Sequence, residues 1–152
     1  MLDEQAYRQT YRTVNALACP FEKAALNCQW PCRLAQRVNI AERVAVSCKE
    51  APAQGECVQL IGLLRCNAAF ALKLTHPDEV LPHAKDIKVQ CGGLLGLQEA
   101  LRQEEAGTSP REDVRDLVLE AQTRFGSLED LPYSEIVRGI AGFQARKKLG
   151  AK

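Results

Sequence analysis

Seven cysteines (Cys19, Cys28, Cys32, Cys48, Cys57, Cys66 and Cys91) and two histidines (His76 and His83) are the residues of this sequence best suited to chemistry. All of them lie between residues 19 and 91, and residues 92–152 contain neither type. Cysteines that act only as small core hydrophobes should be scattered along a chain. Their confinement points to a shared purpose, either metal ligation or disulfide pairing. Thiolates bind zinc, copper(I) and iron–sulfur clusters. An odd number of cysteines leaves one over under disulfide pairing, and a reducing compartment disfavours disulfides altogether.

Four cysteines fall at expected breaks between helices. Cys28-Gln29-Trp30-Pro31-Cys32 holds the tightest pair, Cys19 is followed by Pro20, and Cys32 is preceded by Pro31. Proline stiffens a ligand loop and removes a backbone donor. Cys91-Gly92-Gly93 reads as the entry to a helix, where a thiolate is stabilised. Cys19, Cys28, Cys32 and Cys91 are therefore the first-choice ligands, and four thiolates suit a [4Fe–4S] cluster. Cys48 and Cys57 form a second pair across an expected turn, and either can replace Cys19. His76 and His83 are the alternative nitrogen ligands. Cys66 reads as core, beside Leu63 and Phe70. Trp30, the single tryptophan, stands next to Cys28 and Cys32, where it can cover a cluster or fill the core. The spacings match neither the compact ferredoxin run nor paired Cys-x2-Cys zinc ribbons.

Helical periodicity is expected to position these residues almost throughout, giving an all-α bundle of about six or seven short helices. Tyr7, Tyr11, Val14 and Ala18 share a face over residues 3–18. Pro20 opens a short helix over Phe21–Asn27, which Trp30-Pro31 ends. Leu34, Val38, Ala41, Val44 (or Ala45) and Cys48 predict a helix over 33–49. Residues 51–55 read as a turn, and 56–75 as an antiparallel partner helix with Cys57, Leu60, Ile61, Leu64, Ala68, Ala71 and Leu72 on its apolar side. Pro77 and Pro82 mark residues 76–90 as a loop, and a helix follows Cys91. Ser109-Pro110-Arg111-Glu112 reads as a capping box before Val114, Leu117, Val118, Ala121 and Phe125, with Gly126 as the stop. Asp130-Leu131-Pro132 opens a last helix with Tyr133, Ile136, Val137, Ile140 and Phe143 on its face, and Arg146-Lys147-Lys148 suits its negative end. Residues 1–106 thus form a Cys-rich helical metal-binding region. Residues 107–152 form a helical hairpin packed on it within a single domain.

The composition narrows the function. The chain is 46% hydrophobic over 152 residues, enough for a core. Twenty Lys and Arg against nineteen Asp and Glu leave a net charge of +1, which argues against nucleic-acid binding through bulk charge. No apolar run reaches the roughly 20 residues of a membrane span. Met1-Leu2-Asp3-Glu4-Gln5 is too acidic for a secretory signal, so a cytoplasmic location is expected. Gly92, Gly93 and Gly96 lack the preceding strand of a dinucleotide loop. Pairing Cys91 with His83 for thiol catalysis lacks an accompanying signature, so no catalytic residue is assigned.

The expected function is that of a small [4Fe–4S] protein. It would act with a redox protein partner in electron transfer, in redox sensing or as an auxiliary subunit of a redox enzyme. The alternatives are a structural zinc module for protein–protein interaction and a helical hairpin protein stapled by disulfides. The nine-residue intervals from 19 to 28, 48 to 57 and 57 to 66 suggest the last of these. A copper store would need more inward methionines than the single one present. With this ligand set, iron is lost in Cys32→Ala and Cys91→Ala and retained in Cys66→Ala, as measured by iron content after anaerobic purification.

Overall fold

The computed structural model describes residues 5, 6, 9, 15–76, 80–104 and 109–144. Tyr7, Tyr11, Val14, Pro77 and the Arg146-Lys147-Lys148 tail lie outside the described residues. A short helix α1 (Glu22–Asn27) leads into strands β1 (Ala35–Ile40) and β2 (Arg43–Cys48). A long helix α2 (Ala51–Leu72) follows. Helix α3 (His83–Ile87), a π-helical turn (Lys88–Gly92) and helix α4 (Gly93–Arg102) form one helical run. Helix α5 (Val114–Phe125), a 3-10 turn (Leu128–Asp130) and helix α6 (Tyr133–Gly142) complete the described structure. The molecule is mostly helical, with one small antiparallel sheet.

That sheet corrects the all-α expectation at residues 33–49. The pairing runs from Ala35 opposite Cys48 to Ile40 opposite Arg43, with Ala41-Glu42 as the two-residue turn. Ala41 takes a left-handed φ of 56°, which a tight hairpin demands. Val38 and Ile40 alternate in β1, and Val44 and Val46 in β2, so period 2 fits as well as period 3.6. The missing Asn-Gly or Asp-Gly turn hides the hairpin.

Three helix boundaries also move. Residues 51–55 are the first turn of α2, because Pro52 occupies a position where its missing N–H costs nothing. Helix α3 starts directly after Pro82, so Cys91 lies inside a helical run and not at its N-terminus. Helix α5 starts at Val114 rather than beside Ser109. Asp113 is its cap, accepting from the Asp116 amide, while Glu112 is drawn into an ion pair with Arg102 at 2.6 Å. Ala18 is not helical; it bridges to Ser47.

The core is continuous from Phe21 to Ile140. Helix α2 contributes Leu60, Ile61, Leu64, Ala68 and Leu72, as its periodicity suggests, whereas Ala71 is exposed and Cys57 only half-buried. Cys66 lies on the opposite, exposed face with Phe70, which corrects its assignment to the core. Beside the core, Asp86 accepts contacts from Lys23 at 3.0 Å and Arg65 at 3.4 Å, tying α1 and α2 to α3. Helices α4 and α6 cross with their backbones almost touching. A Cβ on Gly96 would stand 2.7 Å from the Ile136 oxygen, and one on Gly139 would stand 3.0 Å from the Gly96 Cα.

Gly96→Ala should therefore cost about 2 kcal/mol through overpacking. Gly62→Ala, on the exposed face of α2 with nothing within 4 Å of the new Cβ, should add about 0.5–1 kcal/mol of stability. Urea unfolding midpoints of the two variants should move in opposite directions.

Candidate metal centre

Strand β2 is hydrogen-bonded on both edges. On one side it pairs with β1, and the Lys49 amide extends that side by donating to Leu34 O at 2.9 Å. On the other, Cys19 N donates to Val46 O at 3.0 Å and Cys48 N donates to Leu17 O at 2.7 Å. Residues 17–19 thus run beside β2 as a third extended segment and bring Cys19 next to Cys48. The Asn15 side chain also donates to Val46 O, at 3.0 Å, while Glu22 accepts from Val46 N at 2.6 Å.

Cys32 arrives from the loop before β1, where its carbonyl accepts from Ala35 N at 3.0 Å. That loop is docked on the start of α5. Val114 N donates to Pro31 O at 2.8 Å, Arg33 N donates to Asp113 at 2.7 Å, and the Arg33 guanidinium pairs with Asp116. Cys57 comes from the second turn of α2, whose Gln54 side chain donates to Ala18 O at 3.1 Å. Four separate segments therefore deliver Cys19, Cys32, Cys48 and Cys57 to the wall of one cavity of about 30 Å³. Phe21, Trp30, Val114 and Arg115 share that wall, which is otherwise almost wholly apolar.

Burial dominates the acid–base behaviour of the site. It pushes the Cys19 thiol up to about 12, and the neighbouring Cys32, Cys48 and Glu22 add to the rise. The Phe21 amide donates to the Cys19 sulfur and acts in the opposite sense. Cys57 is likewise raised to about 12, by burial first and then by Cys19, Cys32 and Cys48, against the pull of Arg115. Arg115 also donates to Glu56 at 2.7 Å and holds that carboxyl below its ordinary range, with Gln122 assisting. Cys48 donates its thiol proton to Glu50 O at 3.2 Å. Ionised together these thiols would repel one another, and a bound cation would remove that repulsion. Among the described residues, no group of three or more His, Cys, Asp or Glu side chains is gathered to hold a metal ion as it stands.

The other expected site residues are elsewhere. Cys28 and Cys91 are joined as a disulfide across a sequence separation of 63. The first-choice set of Cys19, Cys28, Cys32 and Cys91 is thus split: Cys19 and Cys32 line the cavity, while Cys28 and Cys91 pair with each other. The reason is the helical run through residues 83–102, which buries Cys91 completely and sets its π turn against α1. This disulfide also departs from the expectation that the thiols stay unpaired, and it follows none of the nine-residue intervals. Cys48 and Cys57 lie on the cavity wall with Cys19 rather than replacing it. His76 and His83 are exposed and take no part in the wall. The Cys28–Cys32 spacing, the neighbouring prolines and the glycines after Cys91 all point to the other set. The signal that could have found it was the hairpin, which folds Cys32 and Cys48 back to the same end.

In metal-free protein with the disulfide intact, an alkylating reagent at pH 8 should modify exposed Cys66 first. A thiol raised from 9.0 to about 12 carries about a thousandth of the usual thiolate at that pH. Labelling of Cys19 and Cys57 should therefore be slow and should rise about tenfold per pH unit up to about pH 11. Peptide mapping by mass spectrometry reads each site, and equal rates at Cys57 and Cys66 would contradict the burial described here.

No family model, no curated protein and no solved structure matches the chain. Its function must be argued from the site itself.

Proposed function

We propose that the chain is a small iron–sulfur protein whose cluster is held by Cys19, Cys32, Cys48 and Cys57. The observation that carries this reading is the arrival of four thiols from four segments at one apolar cavity. Seven cysteines distributed for packing alone have no reason to converge, and the exposed Cys66 shows that helical periodicity does not force them inward.

The thiols are not gathered for a single tetrahedral ion as they stand. A tetrahedral zinc site holds its sulfurs about 2.3 Å from the metal, and so about 3.8 Å from one another. The described thiols surround a common space without being gathered that tightly. A cluster's inorganic core spans a wider set of thiolates, and the cavity of about 30 Å³ has to widen to admit it. Loading requires Cys48 to give up its proton and its contact with Glu50 O.

A bound cluster would supply one-electron chemistry. The chain's own contributions are burial, the Phe21 amide aimed at the Cys19 sulfur, and Arg115 beside Cys57. Amide donors and nearby positive charge favour the reduced state of such a centre. The role we assign is electron transfer with a redox protein partner. No helix among the described residues is long and apolar enough to cross a membrane.

Anaerobic purification should give a brown protein with a broad absorption near roughly 400 nm and about four iron and four sulfide per chain. Cys48→Ser and Cys57→Ser should each lose most of that iron. Cys66→Ala and the double variant Cys28→Ala/Cys91→Ala should retain it. Full iron in Cys57→Ser would overturn the ligand set, and a colourless protein with one zinc would replace the cluster by a structural zinc site.

A further inference from the structure

Helices α4 and α6 run in opposite senses, since Gly92 meets Ile140 and Phe143 while Gly96 meets Ile136. The glycines supply no side chain to fill the seam, and an open groove of about 810 Å³ lies along it. Helix α4 lines it with Leu95, Glu99 and Gln103, each four residues from the next, and α6 lines it with Glu135, Arg138 and Gly142. Gly96 and Gly139 form a bare backbone floor between them. With Glu104, the groove holds three carboxylates against one guanidinium. Helix α6 ends at Gly142, Phe143 turns extended with a ψ of 136°, and Phe143 and Gln144 themselves belong to the groove wall. Residues 145–152 follow directly and lie outside the described residues. They read Ala-Arg-Lys-Lys-Leu-Gly-Ala-Lys, with four cations, no acid and one large apolar residue, Leu149. Leu95 to Gln103 spans about 12 Å of helix axis, and eight extended residues reach up to about 26 Å. The negative end of α6 does not by itself explain these cations, because that field fades within the last turn and Arg146 stands four residues beyond Gly142.

We propose that residues 145–152 dock in the groove between α4 and α6, with their cations facing Glu99, Glu104 and Glu135 and with Leu149 covering the glycine floor. Opposite charge and sufficient reach select this occupant, and the chain already enters the groove at Phe143. Exposed ion pairs are screened by salt, so the docking weakens as ionic strength rises. A basic segment of another protein has to displace this one to use the same surface. The contact does not depend on what the thiol cavity holds.

The test uses the full chain, labelled with 13C and 15N, in low-salt buffer. Nuclear Overhauser contacts should join the Leu149 methyl groups to Leu95 and Gly139. The double variant Lys147→Glu/Lys148→Glu should abolish those contacts and shift the amide signals of Glu99, Gln103 and Arg138. Signals of Cys66 and Asn67, on the exposed face of α2, should stay in place. An unlabelled peptide of residues 145–152, added to that variant, should return the groove signals to their parent positions. Absence of any contact between residues 145–152 and the groove in the parent chain would overturn the docking, as would groove amides that ignore the charge reversal. Contacts found only between labelled and unlabelled copies in a mixed sample would give the groove to a second copy's segment and overturn the assignment to the chain's own.

Discussion

The site depends on strand β2 being hydrogen-bonded along both edges. A strand in the middle of a ladder has no freedom to slide, because a one-residue slip would turn every side chain to the other face. Val46 shows how tightly this is done: its carbonyl accepts from Cys19 N and from Asn15, and its amide donates to Glu22. With β2 held, Cys48 is held, and the segments on either side have defined places. Residues 17–19 carry Cys19 to one edge. The loop before β1 carries Cys32 to the same end of the hairpin, opposite the Ala41-Glu42 turn. Helix α2 begins three residues after β2 and packs beside it, so Cys57 reaches the site within two turns.

A second constraint holds this assembly on the helical body. The Cys28–Cys91 disulfide ties the end of α1 to the π turn, and closing so long a separation removes about 4 kcal/mol of unfolded-chain freedom. Gln90, one residue before Cys91, accepts from Ala24 N at 3.0 Å, and Lys23 pairs with Asp86. Helix α1 is too short to be stable alone, so these contacts decide its position. The chain leaving it then carries Trp30 into the cavity and Arg33 onto the start of α5. Two cysteines of the seven thus serve the scaffold and four face the cavity, while Cys66 points to solvent.

Much of the helical body was legible from periodicity. The buried stripes of α2, α5 and α6 follow the 3.6-residue pattern, and Gly126 stops α5 as expected. The hairpin was not legible, because Leu34, Val38, Ala41, Val44 and Cys48 satisfy a helical pattern while the β-branched residues satisfy an alternating one. Backbone pairing with residues 17–19, a contact remote in sequence, decided between them. The same limit applied to Cys91. Its two following glycines read as a helix start, yet a Cβ on Gly92 would stand 2.8 Å from the Ile140 Cα and one on Gly93 2.8 Å from the Leu64 side chain. They are packing glycines inside a continuous helical run, and a local reading cannot tell these roles apart.

The sequence by itself determined that the reactive residues are cysteines, that they belong to the first two-thirds of the chain, and that an aliphatic helical body supports them. Those properties follow from residue types and local periodicity. Only the tertiary structure decided how the cysteines divide, because that depends on which segments become neighbours. Cys28 lies four residues from Cys32 but pairs with Cys91, and Cys19 meets Cys48 and Cys57 across strand and helix contacts. The physical reason is that a thiol reaches only a few ångströms beyond its own backbone, so its partners are chosen by packing between elements and not by spacing along the chain.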